Sequence, residues 1–222
     1  MCGRISIFTP IEELKQRFDA DLPDEPVFPR YNAAPGQKMI IIPMDDPHKM
    51  HFYQWGLIPH WARDAKIGYN LINARAESLQ EKPAFRGSLH KGRCLVLADG
   101  FYEWSAATGK KIPYRIELKD RKPFAMAGLS SRWKDEQGKE IDTFTIVTTA
   151  ANEMVGAIHD RMPVILNQDW ERSWLDPLLD PKETNQYLLP YAGSDMEMYP
   201  ISTLVNSPKN DMAEIVRPVV SA

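Results

Sequence analysis

Several polar side chains in this sequence lie inside or at the edge of apolar runs, where they could take part in chemistry. Glu103 lies between two aromatic residues at the end of an apolar strand pattern, in the stretch ADGFYEW. An unpartnered carboxylate in such a place is costly, and burial would raise its pKa. The structural alternative is a strand-edge residue turned to water. Asn73 and Arg75 flank an alanine in LINARAES, so on a strand both side chains would point to the same face.

Two further polar residues admit both a structural and a chemical interpretation. Asn32, in RYNAAPG, is of a residue type that often occupies turns. His159, followed by Asp160 and Arg161, could be a cation at the C-terminus of a helix or a group that exchanges protons near neutral pH. The residues alone leave both alternatives open.

Cys2 directly follows the initiator methionine in MCGR. Removal of Met1 would place a free amine and a thiol on one residue, which is a reactive combination toward carbonyl carbons. Cys94 lies inside the apolar run RCLVL and is expected to be a buried core thiol. Two cysteines in 222 residues are too few for a disulfide framework, which fits a reducing cytosol.

The sequence lacks the motifs of several common classes of enzyme. Neither CxxC nor HExxH occurs, so no metal site is expected, and the phosphate-binding patterns GxxxxGK[ST] and GxGxxG and the nucleophile pattern GxSxG are also absent. The net charge of -3 provides no global field for a polyanion, so a nucleic-acid partner would need a local basic patch. No apolar run approaches the ~20 residues of a membrane helix and no export signal is recognisable, so we expect a cytoplasmic protein without a membrane partner.

The elements that must position these residues indicate an α+β fold in a single domain spanning 1–222. ISIF has the composition of a strand and leads into a helix over PIEELKQRFDA, with Thr9 as its expected N-cap. AESLQEKPAFRGSLHKG predicts a helix broken at Pro83, and the middle of the chain predicts a β meander. The last third mixes short helices with strands, and no internal repeat or linker is found.

Seven short stretches occur together and in one order: MCGR, RYNAAPG, WGLIPHWA, LINARAES, EKPAFR, RCLVLADGFYEW and IHDRMPVIL. This set resembles the SRAP family, the SOS response-associated peptidase domain, from Met1 to about Leu166, with weaker similarity in PISTLVNSPKND. The resemblance implies a mixed domain built on a largely antiparallel, barrel-like β-sheet with short flanking helices. It also implies a monomer that captures abasic sites in single-stranded DNA covalently, with no cofactor and no obligate protein partner.

The resemblance also implies roles for four candidate catalytic residues. Cys2 becomes N-terminal after Met1 is removed and is the nucleophile, and the family name points to removal of Met1 by the site itself. Asn73 and Glu103 would lie beside the amine of Cys2. His159 would be the acid–base group that faces the sugar.

Seven further residues match positions that line the family's DNA cleft or lie near its active site or the bases: Arg4, Asn32, Pro35, Trp61, Arg75, Arg86 and Arg161. The arginines would bind phosphates, which gives position and salt dependence without reading the base sequence. Some family members carry a second tryptophan directly after the one that matches Trp61, and this chain has Ala62 there.

Two other functions use the same residues. The first is an N-terminal-nucleophile amidohydrolase or thiol peptidase, in which Cys2, Asn73, Glu103 and His159 act on peptide bonds. The second is a non-covalent reader of single-stranded DNA, in which the arginines and Trp61 do the binding. The sequence is compatible with all three functions, and an assay on abasic DNA would separate them.

Overall fold

The computed structural model describes residues 2–105 and 109–219. Within them the α-helices are α1 (Ile11–Phe18), α2 (Pro83–Lys91), α3 (Glu153–Gly156) and α4 (Gln168–Leu175). The β-strands are β1 (Ile5–Ile7), β2 (Arg30–Ala33), β3 (Lys38–Pro43), β4 (His51–Trp55), β5 (Asn73–Arg75), β6 (Arg93–Ala98), β7 (Gly100–Ser105), β8 (Ile112–Leu118), β9 (Phe124–Lys134), β10 (Glu140–Ala150), β11 (Arg161–Pro163) and β12 (Met196–Pro200). Short 3₁₀ turns occupy Ala65–Asn70, Ala76–Ser78, Pro181–Tyr187, Gly193–Asp195, Thr203–Asn206 and Ala213–Val216.

Five strands close into a β-barrel in the order β4, β3, β6, β9, β10 and back to β4. All neighbours in this ring are antiparallel except β10 and β4, which run parallel. The largely antiparallel, barrel-like sheet expected from the resemblance is therefore confirmed. The later half of β10 leaves the ring and pairs with β5 and β11 instead, so three strands meet at one end of the barrel.

A second, fully antiparallel sheet has the strand order β12, β8, β7, β1, β2. Its strands β1 and β7 are neighbours. β1 follows the start of the chain, and β7 contains the candidate catalytic residue Glu103. The polypeptide passes from the barrel to this sheet at Asp99, which separates β6 from β7. The single apolar run RCLVLADGFYEW therefore forms two strands in two sheets.

The core fills the barrel and extends to the second sheet. All six residues of β6 are buried, which explains the apolar run that follows Arg93. Arg93 itself is buried because its guanidinium donates to three main-chain oxygens. Cys94 on β6 is fully buried, as predicted for a core thiol. Its sulfur lies so near Gly128 of β9 that a Cβ there would approach Sγ to 2.7 Å, so this pair of strands requires a glycine.

Two predicted helix boundaries are wrong. Thr9 does not cap α1, because Pro10 occupies the N-cap position and the hydroxyl of Thr9 donates instead to Asp99 Oδ1 at 2.5 Å. Pro83 does not break a helix either. It is the first residue of α2, where its missing N–H costs nothing, and the preceding Ala76–Ser78 forms a separate 3₁₀ turn.

The middle of the chain is not a continuous meander. β7 and β8 form a hairpin in the second sheet, whereas β9 and β10 form a hairpin in the barrel. The chain therefore changes sheets between Leu118 and Phe124, which alternation of residue types cannot indicate. None of the helices in the described part of the chain has the length and apolar character needed to cross a membrane.

Candidate active site

Asn73 connects the barrel to the start of the chain. It opens β5, which pairs in parallel with β10 through Ile146 opposite Asn73. The Asn73 Nδ2 donates a hydrogen bond of 2.8 Å to the main-chain oxygen of Cys2. The Asn73 Oδ1 is buried and accepts no hydrogen bond from the described residues, so it is available to an N–H group that comes close to Cys2.

The thiol of Cys2 lies completely inside the full chain. Its exposed fraction is 0%, and its Sγ lies 3.8 Å from the main-chain oxygen of Arg4. Burial raises the pKa of the Cys2 thiol, and the nearby charge of Glu103 raises it further. The sulfur is therefore protonated near neutral pH. A reaction at this site must begin with another nucleophile or must first transfer the thiol proton.

Glu103 is buried rather than turned to water. It lies on β7 opposite Tyr114 of β8, and only 3% of its surface is exposed. Burial raises the pKa of the Glu103 carboxyl, and the charge of His159 lowers it by a smaller amount. The strand-edge alternative is wrong, and the expectation of a raised pKa is confirmed. Such a carboxyl exchanges its proton at a higher pH than a solvent-exposed glutamate does, which suits it to take up and return a proton.

His159 follows α3, and its Nδ1 lies near two groups of the next two residues. The main-chain N–H of Arg161 donates to Nδ1 at 2.9 Å, which places the proton of a neutral ring on Nε2. Asp160 Oδ1 lies 3.0 Å from the same nitrogen and can accept its proton once the ring is charged. Each protonation state of His159 therefore has its own partner. α3 ends at Gly156, before His159, so the imidazole is not part of its last turn.

Arg161 is held by the protein itself. Its Nη1 and Nη2 bind both oxygens of Glu77, at 2.7 and 3.0 Å, and Nη2 also donates to the main-chain oxygen of Thr148 at 2.6 Å. The hydrogen bond from Arg161 lowers the pKa of the Glu77 carboxyl. Arg75, two residues before Glu77, is exposed and has no ion-pair partner in the described part of the chain.

Arg4 and Asn32 together bind the C-terminal segment, which we define as residues 201–211. Arg4 Nη1 donates to Asn32 Oδ1 and to the main-chain oxygen of Val205, both at 2.5 Å. Asn32 Nδ2 is within hydrogen-bond distance of the main-chain oxygens of Val205, Ser207 and Asn210, at 3.2, 3.0 and 2.6 Å. Asn32 lies on β2 and is fully buried, so its interpretation as a turn residue is wrong.

Sequence reasoning missed Asp211 at the end of this segment. Its Oδ1 accepts the main-chain N–H groups of Tyr31 and Asn32, at 2.5 and 2.9 Å, and its Oδ2 accepts from Arg30 Nε at 2.6 Å. The signal was present in PISTLVNSPKND, the stretch with weaker family similarity. An aspartate in a run rich in Ser, Pro and Asn has the composition of a loop, however, and composition does not reveal a distant strand as its partner.

Trp61 and Pro35 lie on the surface around the barrel. Trp61 is 51% exposed, and its neighbour Ala62 accepts a hydrogen bond of 2.7 Å from Trp133 Nε1 through the main-chain oxygen. Pro35 is half-buried and follows β2, just before Gly36, whose φ of 86° favours glycine. The seventh predicted DNA residue, Arg86, is exposed on α2, where the helix packs against β6 and β9.

The structure thus brings together the four predicted catalytic residues from four separate parts of the chain. Cys2 and Asn73 are joined by a hydrogen bond, and electrostatic interactions link Glu103 to both Cys2 and His159. The set contains an amide that positions the backbone, a buried thiol, a carboxyl with a raised pKa and an imidazole. No cluster of three or more potential metal ligands occurs in the described part of the chain.

Comparison with known proteins identifies the family of the chain. The family model described as SOS response associated peptidase (SRAP) matches residues 1–208. The abasic site processing protein YoqW of Bacillus subtilis is 47% identical, covering 97% of this chain and 99% of the relative. The abasic site processing protein YedK of Escherichia coli is 32% identical, covering 99% of this chain and 100% of the relative. A crystal structure of a protein from Bacteroides thetaiotaomicron, 32% identical, superposes with a TM-score of 0.90 over 99% of this chain and 100% of that one. The chain therefore belongs to the SOS response associated peptidase (SRAP) family.

Proposed function

We propose that this protein processes abasic sites in single-stranded DNA by bonding to them covalently through Cys2, after Met1 has been removed. Two relatives that align over nearly the whole chain are named abasic site processing proteins. The observation that carries the proposal is the hydrogen bond from Asn73 to the main-chain oxygen of Cys2, with Glu103 nearby. This hydrogen bond holds Cys2, which would bear the amine, near Glu103, whose carboxyl is suited to proton transfer.

The first step is attack of the α-amine of Cys2 on the aldehyde carbon of the ring-opened sugar. An α-amine has a reference pKa of ~7.7–8.0 against ~10.4 for lysine, so it is unprotonated far more often at neutral pH. The nitrogen forms a bond to the carbon, and loss of water then leaves an imine. Glu103 takes a proton from the amine and returns one to the departing hydroxyl. The Asn73 Oδ1 can accept a hydrogen bond from the N–H that the Cys2 nitrogen keeps before water is lost.

The second step is addition of the Cys2 thiol to the same carbon. A sulfur–carbon bond forms while the thiol proton moves to the imine nitrogen, which closes a five-membered thiazolidine ring without any oxidant or reductant. Because the raised pKa keeps the thiol protonated, Glu103 serves as the base that carries this proton. Reaction within one residue has an advantage of ~7–11 kcal/mol over separate molecules in favourable cases.

His159 acts on the sugar. An abasic sugar is mostly a closed hemiacetal, and opening it requires a proton to leave one oxygen and another to reach the ring oxygen. The neutral ring of His159 carries a proton on Nε2, and the charged ring gains Asp160 as a partner at Nδ1. The imidazole can therefore donate and recover a proton without moving.

The remaining predicted residues divide into two groups by their surroundings. Arg75, Arg86 and Trp61 are exposed and would contact phosphates or bases, and the half-buried Pro35 would lie near the bases. Arg4, Asn32 and Arg161 are bound to protein groups and would support the walls of the cleft. We propose that the protein acts as a single domain and a monomer in the cytoplasm, without a cofactor.

One gel experiment tests the proposal. The protein is mixed with single-stranded oligonucleotides with or without an abasic site, and the mixture is denatured before electrophoresis. We expect a shifted band only with the abasic oligonucleotide. The Cys2→Ala variant should give no band, and the Cys2→Ser variant should be unable to form the stable ring. Absence of the band, when mass spectrometry shows that Met1 is gone, would overturn the proposal. Cleavage of added peptides would instead indicate a peptidase, and binding that ignores the lesion would indicate a non-covalent reader.

The requirement for a free N-terminus is tested with a removable extension. The matched control carries extra residues before Cys2, and a protease then leaves Cys2 as the first residue of the same preparation. We expect neither crosslinking nor reaction of Cys2 with a thiol reagent before cleavage, since Cys2 is fully buried in the full chain. Both should appear after cleavage. Equal crosslinking before and after cleavage would contradict the role of the amine.

A further inference from the structure

Tyr114 of β8 lies directly opposite Glu103 of β7, and the function proposed above gives Tyr114 no role. Directly opposed residues of an antiparallel pair point to the same face of the sheet, with Cβ atoms ~4.5–5.5 Å apart. The Tyr114 side chain packs against the main apolar core, so this shared face is the one turned toward the barrel. β8 therefore places an aromatic ring beside the carboxyl.

Burial along this face of the sheet changes at the pair formed by Glu103 and Tyr114. Two residues further toward the middle of the sheet, Phe101 and Ile116 oppose each other, and both are fully buried. In the next pair Glu103 is 3% exposed, whereas Tyr114 is half-buried. The carboxyl is thus covered while the ring opposite it still reaches the surface. A ring in that place lies between solvent and the carboxyl.

The other neighbour of Glu103 in the sheet is the start of the chain, which offers little cover. The main-chain N–H of Tyr102 donates to the main-chain oxygen of Arg4 at 3.0 Å. One residue further along, Gly3 precedes Arg4 and Glu103 follows Tyr102, so the chain passes the carboxyl with a residue that has no side chain. The side toward the proposed nucleophile is therefore open, and Tyr114 covers the opposite side.

The titratable and charged groups that face Glu103 come from two other parts of the fold. They are the Cys2 thiol and the terminal amine at the start of the chain, and His159 and Asp160 after α3. Burial is the largest influence on the pKa of the Glu103 carboxyl and raises it, although the terminal amine and His159 lower it. Cover over the carboxyl therefore outweighs these charges in setting its affinity for a proton.

We propose that Tyr114 is a positioning residue whose ring shields the Glu103 carboxyl from water on the side of β8 and keeps it facing Cys2. This inference rests on the function proposed above, in which Glu103 carries the protons. The hydroxyl of Tyr114 makes no hydrogen bond to the described residues. The ring alone therefore provides the cover, and phenylalanine should be able to replace tyrosine.

The test follows the titration of Glu103 directly and does not depend on crosslinking. Protein labelled with ¹³C at the glutamate side-chain carboxyls is titrated by NMR, and Glu103→Gln identifies the signal of Glu103. We expect Tyr114→Ala to lower the pKa of this carboxyl by about one pKa unit, toward the ~4.3 of a free glutamate, and Tyr114→Phe to leave it unchanged. An unchanged pKa in Tyr114→Ala, or an equal fall in Tyr114→Phe, would overturn the inference.

Crosslinking and binding then separate positioning from a contact with DNA. An abasic oligonucleotide should react about tenfold more slowly with Tyr114→Ala, because a less basic carboxylate accepts a proton less readily, and at the wild-type rate with Tyr114→Phe. The Kd for an oligonucleotide with an unreactive tetrahydrofuran in place of the abasic sugar should not change. Weaker binding of this oligonucleotide by Tyr114→Ala, with an unchanged pKa of Glu103, would show that the ring contacts DNA instead. Absence of crosslinking by the wild type would contradict the proposed function, while the titration still decides the role of Tyr114.

Leu118→Ala is the matched control for loss of packing. Leu118 is half-buried on the same strand and face as Tyr114, four residues or ~13 Å further along, and it also packs against the main apolar core. Both variants should be less stable in urea, but only Tyr114→Ala should lower the pKa of Glu103. An equal fall in Leu118→Ala would assign the effect to loosening of the sheet and overturn the inference. Tyr114→Val, which keeps a side chain suited to a strand, replaces the alanine variant if that one does not fold.

Discussion

Asn73 Nδ2 donates its hydrogen bond to the main-chain oxygen of Cys2 across 71 residues of sequence. Asn73 itself is fixed by the parallel pairing of β5 with β10, which also belongs to the closed barrel. The start of the chain is thus hydrogen-bonded to a strand that pairs with the barrel. This relationship places the amide close to the atoms that the proposed reaction uses.

Loss of this amide should slow crosslinking more than it affects folding. We expect Asn73→Ala to reduce the initial rate by about 10- to 100-fold, since a lost buried hydrogen bond costs ~1–3 kcal/mol. The rate is measured on an abasic oligonucleotide at saturating protein. Asn70→Ala, at an exposed position three residues earlier, is the matched control. An unchanged rate in Asn73→Ala would remove the amide from the mechanism.

Glu103 should give the protein a specific dependence of stability on pH. Burial raises the pKa of this carboxyl, so the folded chain binds the proton more tightly than the unfolded chain, in which the pKa is ~4.3. The stabilisation is complete below that value and is lost as the pH rises through the folded pKa. Glu103→Gln removes the titration, so the melting temperature of the variant should rise relative to wild type as the pH increases above ~4.3. A difference that is constant, or that has the opposite sign, would contradict this assignment.

Glu77 should restrain Arg161 electrostatically. Its side chain is 57% exposed, so the ion pair contributes ~0–1 kcal/mol to stability, and Glu77→Gln should fold normally. Removing the carboxylate leaves the Arg161 charge available to phosphates. We expect about fivefold tighter binding, equivalent to ~1 kcal/mol, of a single-stranded oligonucleotide in which an unreactive tetrahydrofuran replaces the abasic sugar, measured at low salt. Glu81→Gln, which removes an exposed carboxylate nearby, is the control. Equal affinities of both variants would show that Arg161 does not face the DNA.

Asn32 should stabilise the fold through the C-terminal segment. Its amide reaches three main-chain oxygens, of which the Val205 oxygen also accepts from Arg4 and the Ser207 oxygen from the Asn210 N–H. Loss of Asn32 therefore removes the donor to the Asn210 oxygen and the Oδ1 acceptor of Arg4, each at a cost of ~1–3 kcal/mol. We expect Asn32→Ala to lower the free energy of unfolding in urea by about 3 kcal/mol and to speed proteolysis within residues 201–211. Proteolysis at wild-type rates would mean that other contacts, such as those of Asp211, are sufficient to hold the segment.

Predictions from local pattern succeeded where the cause is local. The apolar run around Glu103 left burial and a water-facing strand edge as alternatives, and the structure shows that the residue is buried. Alternation around Ala74 indicated a strand that carries Asn73 and Arg75, and β5 is that strand. The apolar surroundings of Cys94 likewise indicated a core position. Each of these depends only on neighbours within a few residues.

Predictions failed where a residue's partner is distant in sequence. Threonine is a common N-cap residue, but the hydroxyl of Thr9 is bound by Asp99, which is 90 residues away. Asparagine is common in turns, but the acceptors of the Asn32 amide lie more than 170 residues later in the chain. Local sequence cannot rank these partners, because the competing hydrogen bonds have similar energies and only the fold decides which one is within reach.

The sequence by itself determined the chemical groups and the family: a cysteine behind Met1, an asparagine, a glutamate and a histidine in recognisable surroundings, within a largely antiparallel α+β domain. Only the tertiary structure decided which charges are satisfied by the protein and which face solvent. Arg161 is bound by Glu77, whereas Lys91 lies in an open groove, yet both are single cations in a mixed sequence. Electrostatic interactions depend on distance in space, and the closure of the barrel sets those distances.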